Sequence, residues 1–188
     1  IDLICKMMTN KIIDRRGKIN KDIKNKRIRF NEYDIGEYVL AFKEEYNLER
    51  DLIISEVDID NFIRAKGAIY SGASTLIESL GMDFSVVDKV LIAGGIGNSL
   101  NIENSIMIGL LPDIQKEKFS YIGNSSLIGS YLALISQDAK LKLEDIGSQM
   151  TYVELSVYPT YMDEFISACF LPHTNIEQFP TVKNLIGV

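Results

Sequence analysis

Tryptophan is missing from this 188-residue chain, histidine occurs once, cysteine twice and proline four times. Each scarcity removes a class of chemistry. With His173 as the single imidazole, neither a Ser-His-Asp triad nor a His-rich zinc site has its raw material. Cys5 and Cys169 lie far apart with no CxxC pair, which fits free buried thiols and leaves no ligand set for an iron–sulfur cluster. The longest apolar runs are too short to cross a bilayer, and the chain opens on Ile1 rather than on a Met with a charged signal start. The expectation is a soluble, cytoplasmic protein with no membrane partner. Positive charge is in deficit too: 20 Lys and Arg against 26 Asp and Glu leave a net charge of -6, so no global field would gather a nucleic acid.

What is present is an ordinary globular composition, 46% apolar and 24% charged, enough for one domain or two small lobes. One shift in charge divides it. Residues 1–30 carry ten basic side chains against Asp2, Asp14 and Asp22, so the acidity lies in the remainder. That stretch reads first as a solvated linker between a helix and the first strand, and second as a docking patch for an acidic partner.

The apolar positions Ile1, Leu3, Ile4, Met7 and Met8 share one helical face with nothing ahead to cap them, so the chain is expected to begin inside an element. Arg15-Arg16-Gly17-Lys18 supplies a turn, and residues 38–42 and 51–54 read as two strands. Ser55-Glu56-Val57-Asp58 matches a helix-opening box. The spacing of Ile59, Phe62, Ile63, Ile69, Ala73, Leu76, Ile77 and Leu80 predicts a long helix stopped by Gly81. Gly67 and Gly72 inside that helix each cost about 1 kcal/mol relative to Ala. Close packing of a small-residue surface on a sheet explains them most simply, and close approach of a ligand is the alternative. Lys66, in the same stretch, reads as a solvated lysine.

Two strand–glycine–helix units follow. Lys89-Val90-Leu91-Ile92-Ala93 has the unbroken apolar character of a buried parallel strand, and Gly94-Gly95-Ile96-Gly97-Asn98 comes directly after it. A helix capped by Asn101 runs to Gly109-Leu110-Leu111-Pro112-Asp113. Phe119 to Ile122 then repeats the design, with Gly123-Asn124 leading into an apolar helix from Leu127 to Ile135. Glycines at the carboxyl end of a parallel strand let main chain come into contact with a flat or charged ligand, the usual place for a nucleotide. The spacing is neither GxGxxG nor a P-loop, so a plain tight turn stays open beside a nucleotide site. Further on, a helix around residues 139–146, a strand over 150–155 and a helix over 160–170 opened by Pro159 and closed by Leu171-Pro172 are expected. Tyr158, Tyr161, Phe165 and Phe170 are read as core aromatics.

Ala65-Lys66-Gly67-Ala68-Ile69, Asp88 through Asn98, Ile108 through Asp113 and Ile122-Gly123-Asn124-Ser125, in that order, resemble the carboxy-terminal domain of the ATP-dependent reductive activators of corrinoid proteins. The likeness runs from about Ile1 to His173. It implies an α/β fold: a ribonuclease H-like, actin-type (ASKHA) ATPase lobe with a mixed sheet flanked by helices. Residues 1–55 would be an accessory helix and strand region, 56–175 the ATPase lobe and 176–188 a tail. The implied function is ATP-driven return of Co(II) corrinoid protein to Co(I), with this part supplying the adenosine side. The implied cofactor is ATP, with Mg and an iron–sulfur cluster provided outside this chain, and the implied partners are a corrinoid protein and a possible second copy of the chain. Carried over by position, Gly94, Gly95, Gly97 and Asn98 match the adenosine-binding turn, and Lys66 lies on the preceding helix near the base. No side chain is assigned a catalytic or metal-ligating role, because the acidic phosphate and magnesium loops of the family have no match here. The chain therefore reads as a fragment. The alternative is a non-catalytic docking or dimerisation module for a corrinoid protein. A small-metabolite kinase of the same fold is less favoured for want of an Asp base beside a phosphate loop.

Overall fold

The computed structural model describes residues 1–95 and 97–186. The main elements are α1 (Asp2–Thr9), β1 (Ile28–Phe30), β2 (Gly36–Ala41), α2 (Lys43–Tyr46), β3 (Leu52–Ser55) and α3 (Glu56–Glu78). They continue with β4 (Val90–Ala93), α4 (Ile102–Met107), β5 (Phe119–Gly123), α5 (Ser125–Ile135), α6 (Gln137–Gln149), α7 (Tyr161–Ala168) and α8 (Pro180–Ile186).

Parallel and antiparallel pairing are segregated in two sheets rather than mixed in one. β1, β2 and β3 form an antiparallel sheet in that order, with an irregularity between Val39 and Ala41, and β4 pairs in parallel with β5. The parallel pair and its crossover agree with the sequence reading, whereas β1 falls inside the stretch read as a linker. Its surroundings also account for the local excess of cations. Lys18 pairs with Glu56, Lys21 with Asp34, Lys26 and Arg27 with Glu45, and Arg29 with both Glu37 and Asp51. Half of the basic side chains in the stretch are thus paired with acids that follow them in the chain.

The apolar side chains gather in two clusters. In one, Ile4, Cys5, Met7 and Met8 of α1 and Ile59 and Ile63 of α3 meet Ile13, Ile19, Ile108, Leu110 and Leu171. In the other, Tyr70, Ile92, Ile102, Ile106 and Ala168 surround Phe179 and Val182. Leu100 and Met107 pack against both, so the segment around α4 is wedged between them. Residues 176 onward, expected as a tail, instead deliver Phe179 at 0% and Val182 at 1% exposure into the core. Sealing Phe179 and Val182 contributes about 1.5–3 kcal/mol each, which offsets part of the entropy lost in ordering α8.

Three further expectations change. The helix opened by Ser55 forms with its capping box: the Ser55 hydroxyl accepts the Asp58 N–H, and the Asp58 carboxylate accepts the Ser55 N–H. Its second half, however, buries Lys66, Gly67, Tyr70, Ser71, Ser74 and Thr75, and leaves Ile69 and Leu76 exposed, with Leu80 exposed just beyond its end. The partner there is α7 rather than a sheet, and α7 approaches along the small and polar side. An added Cβ on Gly67 would sit 3.1 Å from Cys169 Sγ and 3.3 Å from the Ala168 carbonyl. Residues 150–154 form no strand; Glu154 turns back to bind Ser156 at the head of a short 3-10 turn, Leu155–Val157. Tyr158, Tyr161, Phe165 and Phe170 are half-buried rather than core, and Phe170 lies under the Arg16 guanidinium, 5.6 Å away.

α5 and α6 pack on each other, yet neither contributes a buried residue. Leu127, Ile128, Tyr131, Leu134 and Ile135 all stand exposed, in a helix with no charged side chain. No helix among the described residues is long and apolar enough to cross a membrane.

Candidate functional site

Both parallel strands end on glycine. Gly94 follows Ala93 with φ +96°, and Gly123 closes β5 with φ +68°. The Gly94 N–H donates to the Gly123 carbonyl at 2.8 Å, carrying the ladder one step past the last strand pair. A left-handed residue at Gly94 turns the chain off the strand end, a step that any Cβ would strain. An added Cβ on Gly94, Gly95 or Gly123 would meet nothing within 4 Å. The main chain is therefore bare and open on that side. Gly97 differs: a Cβ there would lie 2.7 Å from Ile92 Cγ2, so the chain folds back onto its own strand.

Gly97 to Ser99 make one 3-10 turn, and α4 then starts at Ile102 with Asn101 as its cap, as read from the sequence, through a 3.0 Å bond from the Asn104 N–H. The contact expected of the Asn98 side chain lies outside the described residues. The Tyr121 hydroxyl, on β5, donates to the Leu100 carbonyl and pins the exit from the turn. Nothing in the sequence marked Tyr121, although its position opposite Ile92 follows once the parallel register is known.

Lys66 is not a solvated lysine. It is 1% exposed, and its Nζ donates to the Gly109 carbonyl at 3.3 Å and to the Pro172 carbonyl. Burial brings the ammonium down from its ordinary value to about 7, against the opposing pull of Cys169 and Glu164. Its known partners are thus the loop after α4 and the segment after α7, and the turn at Gly94 is not among them. Gly109 is required at that crossing: its φ is +74°, and a Cβ would come within 2.2 Å of the Pro172 carbonyl oxygen.

A second cation grips the same segment. Arg15 donates through Nε to Leu171 O at 3.1 Å and through Nη2 to His173 O, so three successive carbonyls face two cations. His173 itself is buried. Its Nδ1 accepts the Asn175 N–H at 3.1 Å, which places the proton of the neutral ring on Nε2, facing Glu164 Oε1 at 3.6 Å. At that separation neither atom completes a hydrogen bond. The Glu164 carboxyl is held below the ordinary carboxylate range, chiefly by the facing imidazole. The sequence offered no sign of this cluster beyond the rarity of histidine.

A cavity of ≈ 730 Å³ lies elsewhere, between Glu103, Lys116, Asp113 and Thr181, where Glu103 pairs with Lys116 and Asp113 accepts the Thr181 N–H. No group of three or more His, Cys, Asp or Glu able to hold a metal occurs among the described residues.

A glycine corner at the carboxyl ends of paired parallel strands is the place where open α/β sheets take their ligands. The family model described as the C-terminal domain of RACo, the ASKHA domain, matches residues 1–183, and the chain belongs to that family. It is similar to a solved structure titled reductive activator for corrinoid, iron-sulfur protein, with 48% identity and a TM-score of 0.87, covering 96% of this chain and 29% of that one. It is also 32% identical over 117 residues to the corrinoid activation enzyme RamQ of Eubacterium limosum, covering 62% of this chain and 20% of that protein. The chain therefore spans less than a third of the length of either relative.

Proposed function

We propose that this chain is the adenosine-side part of the ATPase core of a reductive activator, which returns an inactive Co(II) corrinoid protein to Co(I). Residues 56–175 would carry the lobe and 1–55 an accessory region sharing its core. Gly94 and Gly95 would let the flat face of an adenosine lie on main chain at the end of β4, with Gly97 folding the chain back onto that strand and Asn98 within the turn that follows. The fit rests on the open space beside Gly94 and Gly95, where side chains would otherwise stand. ATP, when bound, supplies the free energy that couples electron delivery to a change in contact with the corrinoid protein, which requires two states of different nucleotide affinity. The magnesium and phosphate contacts and the electron-donating cluster would be supplied by parts of the activator outside these 188 residues.

The open glycine corner carries this reading, and it is tested by titrating ADP into the protein by calorimetry. Gly95→Trp adds a side chain into open space, so it should leave the melting temperature unchanged and remove binding. Equal affinity in both proteins would refute the site.

A docking role is favoured by one observation, the uncovered apolar surface of α5 and α6. The basic opening stretch gives it less support, because half of its cations are paired with acids within the chain. Arg16 is the cleaner probe there, since Arg15 holds the carbonyls of Leu171 and His173. Arg16→Glu should leave association with the corrinoid protein unchanged; a clear loss of affinity would restore the basic patch as the dock.

A further inference from the structure

We infer that Lys66 is a positioning residue for the glycine turn: it clamps the far end of the turn–α4 segment to the Leu171–Pro172 strap, and the clamp sets nucleotide affinity without touching nucleotide. The inference rests on the adenosine reading of the turn and deepens it.

The segment from Gly97 to Gly109 is held at its start, middle and end, and Asn104 within it donates to Asp2 of α1. Gly97 lies against Ile92, the Leu100 carbonyl takes the Tyr121 hydroxyl, and the Gly109 carbonyl takes Lys66. Between these pins Ile102 and Ile106 are buried, and Ile108 is fully so. Such a short, packed segment transmits a shift at one end to the other, because close-packed interiors rearrange as units rather than yielding gradually. The first two pins are local to the sheet. Lys66 adds a polar tie from the segment to α3 and to the strap after α7, beside the apolar contacts of Ile102, Ile106 and Ile108, and Pro172 and Gly109 meet there too closely for any side chain on Gly109.

Plain packing does not require a lysine at this point. An aliphatic side chain would fill the space without the cost of desolvating an amine, so the donor function is what the position uses. The groups facing Lys66 are Glu164 on α7, Cys169 and His173 beyond it, and Tyr70 one turn along α3, with Arg15 on the neighbouring carbonyls. The lysine titrates near neutrality in this setting. A charged amine binds carbonyls more strongly than a neutral one, so the clamp tightens on protonation.

ADP affinity and amide hydrogen exchange are measured on wild type, Lys66→Met and Lys66→Gln between pH 6 and pH 9. Lys66→Met should weaken ADP binding by roughly two- to thirtyfold and speed exchange at Leu110 and Leu111, with Lys66→Gln intermediate. The wild-type advantage over Lys66→Met should shrink as pH rises, the ratio cancelling titration of the nucleotide itself. Unchanged affinity in both folded variants, with Gly95→Trp still abolishing binding, overturns the inference and leaves the site reading intact. Faster exchange without any wild-type ADP binding keeps the mechanical clamp but overturns the site reading, and with it the effect on affinity. Should Lys66→Met fail to fold, Lys66→Gln carries the same comparison.

Discussion

A buried lysine makes its energetic mark through pH. In the unfolded chain Lys66 holds its proton up to about 10.5, and in the fold it releases it near 7, so between those values the unfolded state carries more protons. Stability therefore rises with pH across that window, by up to about 1.4 kcal/mol per unit from this one group. Below pH 7 the full desolvation cost is present. The stability of wild type minus that of Lys66→Met, from urea melts at pH 6, 8 and 10, should become more favourable to wild type at each step. A flat difference would mean that the amine is not desolvated. At the same crossing, Gly109→Ala combines a left-handed φ with a Cβ 2.2 Å from the Pro172 oxygen, and it should prevent folding or cost more than about 3 kcal/mol. A normal melting curve for that variant would show that Gly109 and Pro172 can move apart freely.

At the scale of elements, α3 shows how capping and period differ in what they reveal. The Ser55 and Asp58 bonds start it as read from four residues, and Ser55→Ala should cost about 1 kcal/mol in a denaturant melt, with no change in helix content. The buried face of its second half followed no apolar pattern, since α7 selects the small and polar side. Gly67→Val tests that contact: overpacking against Cys169 and Ala168 should cost about 1–3 kcal/mol. Gly72, with only Leu155 Cδ1 at 3.7 Å, should accept Ala at no cost. If both substitutions behave alike in thermal melts, the close crossing of α3 and α7 is not what selects glycine at 67. The strand expected over 150–155 failed for a related reason. Alternating apolar residues make a strand only beside a free sheet edge, and here the local acceptor Glu154 captured the backbone of Ser156 instead.

Across the whole molecule, the two apolar clusters meet around α4, while the α5–α6 pair lies outside both. A helix apolar on all sides is ordinarily covered. The isolated chain should therefore bind a hydrophobic dye and self-associate with rising concentration, and Leu134→Lys, at 84% exposure, should reduce both without lowering stability. Monomeric behaviour at all concentrations in ultracentrifugation, with no dye signal, would contradict that exposure. The C-terminal stretch gives the opposite case, in which a segment with weak pattern is structural: Phe179→Ala should cost about 3–5 kcal/mol.

The residues 89–98 and 119–124 carried the parallel pair, its crossover and the glycine corner in local terms, because strand character, left-handed turns and caps depend on near neighbours. Those pieces, with the ordered motifs around them, were sufficient to place the chain among the activator domains. Tertiary structure alone decided that Lys66 faces inward, that Tyr121 reaches Leu100, that Arg15 and Lys66 share a run of carbonyls, and that Phe179 closes the second cluster. Each depends on segments 21 to 156 residues apart meeting at a few ångströms, and one chain read in order contains no term for that distance.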